Sequence, residues 1–215
     1  MSDYPALPMQ VRLAGRPCLV VGGGRVAERK IAVLLEAGAA VHVVSPDVSD
    51  RVQAWIDAGA VTASRRAYAT EDGEGAFLLV AATDQAAVNA RVAADGAARG
   101  QLVNAAASPE LGSVTLPAVL RRGRLVVAVS TTGASPAAAA AIRDRIAALL
   151  GDEAERLLEF LERFRREALA RVPDAARRRE LLRDAMRGDV FARLAAEGWD
   201  AYERDMLARL EAAAK

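Results

Sequence analysis

Three consecutive glycines, Gly22, Gly23 and Gly24, follow the apolar run Cys18-Leu19-Val20-Val21 and open directly into Arg25-Val26-Ala27-Glu28-Arg29-Lys30-Ile31-Ala32-Val33-Leu34-Leu35. A β-branched run, a glycine turn and apolar residues at helical spacing, in that order, restrict the segment to strand, tight turn and helix. The spacing is glycine, any, glycine, any, any, alanine, which suits a dinucleotide pyrophosphate. Gly22 turns the chain, Gly24 offers the phosphates a backbone without a Cβ, and Ala27 lets helix and strand pack closely. The helix amino-terminus then faces the phosphates. A second apolar run, residues 40–44, ends in Ser45-Pro46-Asp47. A carboxylate able to accept from a ribose 2′-hydroxyl therefore lies about 20 residues beyond the glycines. The competing reading of the same residues is a plain tight turn, with Asp47 capping the next helix.

Alternation continues to about Ala106. Strands are expected at 18–21, 40–44, near 61–66, 77–82 and 101–105, and helices at 26–37, 48–57 and 85–99, with Asp84 able to cap the last. Strands alternating with helices imply a parallel sheet with right-handed crossovers. Residues 77–82 are apolar throughout, as a central strand covered on both faces requires. Beyond Pro109, residues 113–116 and 124–130 read as extended around the turn Arg121-Arg122-Gly123, suggesting a second sheet. Ser135 is then a natural N-cap and Pro136 sits at the first helical position of an alanine-rich helix through Leu150. The remainder reads as helices at about 153–171, 174–187, a short piece to Glu197, and a last one from Asp200 whose Glu203 completes a capping box. Leu157, Leu158, Leu161 and Phe164 make an apolar stripe for packing, and Arg177, Arg178 and Arg179 a wetted face. The expected class is α/β: a Rossmann-like parallel-sheet domain over 1–112, a small α+β domain over 113–150 and an all-helical domain over 151–215.

A 215-residue chain with 53% hydrophobic residues can bury a full core. Twenty-nine basic against twenty-eight acidic side chains leave +1, which gives no general attraction for nucleic acid or anionic lipid. The single cysteine, Cys18, permits no internal disulfide, and no metal-ligand spacing appears. The amino-terminal residues lack a signal-peptide pattern and no apolar run is long enough to cross a bilayer, so a cytoplasmic protein is expected.

Four pieces occur in order: VGGGRVAERK, AATDQAAVN, VNAAASPELGSVTLPA and LVVAVSTTGASPAAA. Together they resemble the precorrin-2 dehydrogenase and sirohydrochlorin ferrochelatase family, the module that also forms the amino-terminal half of larger siroheme synthases. The likeness runs along the whole chain and is that of the stand-alone form. It implies an NAD-binding domain, a middle domain through which two chains form a homodimer, and a helical domain that helps enclose a tetrapyrrole. NAD+ accepts hydride from precorrin-2, giving sirohydrochlorin, and many members then insert ferrous iron; cobaltous ion is a further candidate. On the nucleotide side the resemblance points to Gly22, Gly24, Arg25, Val26, Pro46, Asp47, Thr83 and Asp84. On the substrate side it points to the loop after Asn104 and to the turn Ser130-Thr131-Thr132-Gly133. One position departs: the family loop carries an aspartate three residues after the asparagine, its proposed acid/base group, and here Ala107 stands there.

A methyl group moves no proton. Hydride transfer is carried by the cofactor once the two planes are oriented, so it tolerates this loss. Metal insertion must remove pyrrole protons and is the half that suffers. Glu110 is the first substitute base, competing with a solvated role, and mid-strand His42 reads as structural or cofactor-adjacent. For the carboxylates of the substrate, Ser113, Thr115, Ser130, Thr131, Thr132 and the helix end after Ser135 are candidate donors. The leading expectation is NAD-dependent precorrin-2 oxidation. The alternatives are a sirohydrochlorin chelatase, or a catalytically silent sensor that binds NAD or a tetrapyrrole.

Overall fold

The computed structural model describes residues 6–150 and 153–215. The chain divides into two compact units, Met1–Leu116 and Pro117–Lys215. Residues 151 and 152, where the expected third domain begins, lie outside the described residues.

In the first unit, strands β1 (Pro17–Val21), β2 (Ala40–Val44), β3 (Thr62–Ser64), β4 (Leu78–Ala81) and β5 (Leu102–Ala105) form a sheet in the order β3-β2-β1-β4-β5. All its pairings are parallel. Helices α1 (Arg25–Glu36), α2 (Asp50–Asp57) and α3 (Ala86–Ala98) make the crossovers. Side-chain alternation along the strands sorts the core into two layers. Cys18, Val20, Val41, Val43, Leu78 and Val80 pack with Ala27, Ile31 and Leu34 of α1 and Val52 of α2. Leu19, Val21, Val44, Leu79, Ala81 and Val103 pack on the opposite face with Val92 and Ala93 of α3. The expected central strand, β4, is buried at every position.

In the second unit, β6 (Ala118–Arg122) and β7 (Leu125–Val129) form an antiparallel hairpin, followed by α4 (Pro136–Leu150). The pairing starts two residues after the extended stretch expected at 113–116. Those residues form no strand, because Ser113 and Val114 fold back to bond Val103. As expected, Ser135 caps α4, its hydroxyl accepting from the Ala138 N–H at 3.1 Å.

Helices α5 (Glu153–Arg171), α6 (Ala175–Asp184), α7 (Val190–Glu197) and α8 (Trp199–Ala213) complete the chain. Asp174 and Asp189 cap α6 and α7 by accepting from the N–H groups of Arg177 and Ala192. Three expectations shift here. The buried face of α5 is Ala154, Leu157, Phe160, Phe164 and Ala168, and Leu158 and Leu161 are only half-buried, because the helix turns Phe160 onto Trp199 and Tyr202. Of Arg177, Arg178 and Arg179 on α6, Arg178 is not simply wetted; its guanidinium donates to the carbonyl of Val172 at 2.8 Å. No capping box forms at Glu203: α8 starts a residue early behind Gly198, and Glu203 instead accepts from the Trp199 indole N–H at 2.9 Å. Tyr202 is fully buried with its hydroxyl donating to the Ala185 carbonyl at 2.6 Å, which removes the cost of burying it.

Candidate functional site

The carboxyl ends of β1, β2, β4 and β5 meet at one rim, with Val21 in register with Val44 and Ala81, and Ala81 with Ala105. Chain direction around the sheet reverses between β1 and β4, and ligands of open α/β sheets bind at such a point. The three glycines stand on this rim for different reasons. At Gly22, φ is +116° and a Cβ would lie 2.5 Å from the Ala82 carbonyl oxygen, so only glycine fits. At Gly23 a Cβ would come within 2.8 Å of Val48, because the 45–49 loop lies against it and the Ser49 N–H bonds the Gly23 carbonyl at 2.9 Å.

Gly24 differs from both, since a Cβ there would meet nothing within 4 Å. Packing does not require this glycine; a bare backbone facing open space is what a phosphate group needs. Gly24 is also the N-cap of α1 and brings no side chain to its first N–H groups. An uncapped helix start beside a missing Cβ is a cradle for a pyrophosphate, and a nicotinamide dinucleotide fits it. Arg25 and Val26 stand exposed at that helix start.

Across the rim, Ser45 is buried and its hydroxyl donates to the Asp47 carbonyl at 2.6 Å, shaping a turn that leaves Pro46 and Asp47 exposed. Asp47 does not cap α2; Ser49 does, accepting from the Val52 N–H. The carboxylate is thereby left for solvent or ligand. After β4, the Asp84 cap does not form either. Asn89, buried in α3, accepts from the Thr83 N–H at 3.1 Å and hydroxyl at 2.7 Å, and donates back to the Thr83 carbonyl at 2.9 Å. Thr83 is thus held from below, while Asp84 stays exposed at the turn. Asn89 carries no reactive chemistry and sits one helical turn from any cap rule, so only its place in the AATDQAAVN piece marked it.

On β5, Asn104 is 4% exposed; its amide donates to the Val114 carbonyl at 2.9 Å, while Oδ1 is buried without a partner. Leaving such an acceptor unpaired costs about 1–3 kcal/mol, which marks the place as something other than simple core. Ala107 and Glu110 are exposed on the loop that follows, with Glu110 in a short 3₁₀ turn, Pro109–Leu111. The Ser113 hydroxyl accepts from the Val103 N–H at 3.0 Å, and Thr115 is exposed.

In the second unit, the hydroxyls of Ser130 and Thr131 are engaged within their own turn, accepting from the N–H groups of Thr132 and Ser135. Thr132 holds φ at +51°, a left-handed conformation unusual for a β-branched residue, and Gly133 follows at +89°. Such outliers gather at ligand-binding turns.

Two further residues resolve. The His42 ring bridges Thr62 Oγ1 at 2.8 Å and Ser64 Oγ at 3.1 Å, tying β2 to β3. Burial pushes the Cys18 thiol up to about 11, which makes it a poor nucleophile at neutral pH. Among the described residues, no helix is long and apolar enough to cross a membrane.

A parallel sheet with a phosphate cradle at its switch point defines a nicotinamide dinucleotide-binding protein, and residues 9–118 match the family described as "Putative NAD(P)-binding". Residues 122–149 match "Sirohaem biosynthesis protein central". The chain resembles the solved structure of "SirC, precorrin-2 dehydrogenase" with a TM-score of 0.79 and 32% identity, over 96% of this chain and 99% of that one. It is 35% identical to the siroheme synthase of Nitrosococcus oceani over 95% of this chain and 44% of that protein. It is 37% identical to the siroheme synthase of Azotobacter vinelandii over 99% of this chain and 45% of that protein. It thus spans less than half the length of these curated relatives. The chain belongs to the precorrin-2 dehydrogenase and siroheme synthase family.

Proposed function

We propose that this chain oxidises precorrin-2 to sirohydrochlorin with NAD+ as hydride acceptor, acting as a homodimer in the cytoplasm. The observation that carries this reading is the match to a precorrin-2 dehydrogenase along essentially its whole length, with the Gly24 cradle open in this chain. Bound NAD+ supplies the hydride-accepting ring, and the protein supplies position. Gly22 fixes the turn, Gly24 and the start of α1 bind the pyrophosphate, and Arg25 and Val26 flank it. Pro46 directs Asp47 toward the adenosine ribose, where a carboxylate accepts from a free 2′-hydroxyl and repels a 2′-phosphate; this favours NAD over NADP. Thr83 and Asp84 line the nicotinamide half.

In the first unit, the loop after Asn104 and Thr115 serve the macrocycle; in the second, the Ser130-Thr131-Thr132-Gly133 turn offers hydroxyl and backbone groups for its carboxylates. Protons released on oxidation pass to solvent or to Glu110, since Ala107 offers no acceptor. Metal insertion draws on the same missing group, so dehydrogenation is the principal activity.

The division into dimerisation and helical parts at about 113–150 and 151–215 belongs to the same proposal. Within β6, β7 and α4, Ala139 alone is buried, while Ile142 and Leu149, seven residues apart on one helix face, are 47% and 79% exposed. A two-stranded hairpin is at best marginal in water. A second copy pairing this hairpin and helix would supply the missing cover.

The test is anaerobic incubation with precorrin-2 and NAD+, following NADH and sirohydrochlorin together. One NADH per sirohydrochlorin is expected, with NADP+ a much poorer acceptor. Binding of both ligands without turnover would replace the enzyme with a sensor. Ferrous or cobaltous insertion into sirohydrochlorin without any dehydrogenation would replace it with a chelatase.

A further inference from the structure

The chain leaves β5 at Ala105, forms the 106–112 loop, and returns to the strand it has just left. The N–H groups of Ser113 and Val114 both donate to the Val103 carbonyl, at 2.9 and 3.0 Å. The Ser113 hydroxyl accepts from the Val103 N–H at 3.0 Å, and the Asn104 amide donates to the Val114 carbonyl at 2.9 Å. Gly112 completes the closure, because a Cβ there would stand 2.7 Å from the Val103 carbonyl oxygen and 3.0 Å from the Ala105 nitrogen. Its φ of −98° is open to any residue, so space rather than conformation demands glycine. At the other end, the Ala106 N–H is bonded to the Ala81 carbonyl at 2.9 Å, fixing the exit from the sheet to β4.

We propose that Gly112, Ser113 and the amide of Asn104 form a clamp that closes the 106–112 loop onto the edge strand and so positions the tetrapyrrole over the rim. They are positioning residues. The Ser113 hydroxyl serves as the acceptor that an edge-strand N–H otherwise lacks, and acts on substrate through the loop. The loop it closes carries Ala107 and Glu110 at its exposed turn, so a loosened base displaces the part that meets the macrocycle. The inference rests on the proposed tetrapyrrole site for its effect on catalysis, though the clamp itself is a property of the free protein.

Gly112→Ala separates the two roles, since it removes no polar group and disturbs only the closure. Backbone amide exchange of the ligand-free protein is measured for wild type, Gly112→Ala, Ser113→Ala and Ser113→Thr, together with NAD+ affinity and precorrin-2 kinetics. Gly112→Ala and Ser113→Ala should each speed exchange across the 106–112 loop and at Val103 by about tenfold, with β1, β4 and α1 protected as before. Both should lower kcat/KM for precorrin-2 by about tenfold with NAD+ affinity unchanged, and Ser113→Thr, which keeps the hydroxyl, should recover most of it. Unchanged loop exchange in both alanine variants overturns the clamp. So does a loss of activity in Ser113→Ala that Gly112→Ala does not share, which would make the hydroxyl a direct substrate contact. Lost protection across the whole sheet also overturns it, by making these residues structural. Should precorrin-2 not be oxidised by the wild-type protein, the proposed function fails, while the exchange measurement still decides whether the loop is clamped.

Discussion

The five-stranded sheet and the two-stranded hairpin solve the problem of covering a sheet differently. β4 is buried at every position and β1 at all but its first residue, with α1 and α2 packed on one face and α3 on the other. β6 and β7 contain no buried residue, although β7 is apolar throughout and β6 is apolar up to Arg121. The first sheet is complete within one chain, and among the glycines of its unit with open space where a Cβ would stand, Gly24 is the one whose φ is not positive. The second is a surface with strand edges and a helix face still to be covered. The first has an open phosphate cradle at Gly24; the second leaves Ile142 and Leu149 exposed on α4.

The strongest way to break this contrast is at Gly22. Gly22→Ala places a Cβ 2.5 Å from a carbonyl oxygen at a φ of +116°, and should destabilise the protein by about 2–4 kcal/mol, read as a lowered midpoint in urea. Gly24→Val should leave that midpoint within about 0.5 kcal/mol, because the site is open, yet abolish NAD+ binding measured by calorimetry. If the two variants behaved alike, the distinction between a packing glycine and a ligand glycine would be lost.

An intermediate effect is expected in the second region. Ile142→Asp puts a charge on the exposed face of α4 without touching Ala139, the residue that α4 buries. A self-association constant measured by sedimentation should weaken by about a hundredfold, while NAD+ affinity per chain is unchanged. An unaltered constant would mean that the face is not covered by a second copy.

The same contrast governs what could be read from the residues alone. The sheet, its helices and the glycine turn were legible because apolar period and backbone chemistry are local. The exposed turn at Pro46 and Asp47 was legible as well, since it directly follows the apolar run of β2. What escaped were side chains that answer to distant backbone. Asp84 fits the local cap rule, but α3 starts without a side-chain cap, and the turn is held instead by Asn89, which reaches Thr83 from α3. Ser113 reads as a substrate donor, and its tie to the edge strand, where its oxygen accepts from the Val103 N–H, is not visible in the sequence. Residues 113–116 look extended because they lie along β5, yet their bonds go to Val103 rather than into a ladder. At Glu203 the capping-box spacing fails because Gly198, at φ +80°, starts α8 a residue early. The Leu161 position in the stripe gave way to Phe160 for a similar reason, since three aromatic rings meet there.

The smallest perturbation of structure tests the chemistry of the rim. Ala107 is exposed on the loop, so Ala107→Asp needs no repacking and should leave stability and NAD+ affinity unchanged. It restores a proton acceptor at the position where the family places one. Removing two pyrrole protons as a metal enters depends on such a group directly, whereas hydride departure to a nicotinamide ring does not. The variant should therefore raise ferrous or cobaltous insertion into sirohydrochlorin by about tenfold or more, and change precorrin-2 oxidation by less than about threefold. Equal gains in both would mean that oxidation is also limited by proton removal at this loop, and that Glu110 does not serve it. No gain in either would mean that the loop, though clamped beside the crevice, does not present residue 107 to the macrocycle.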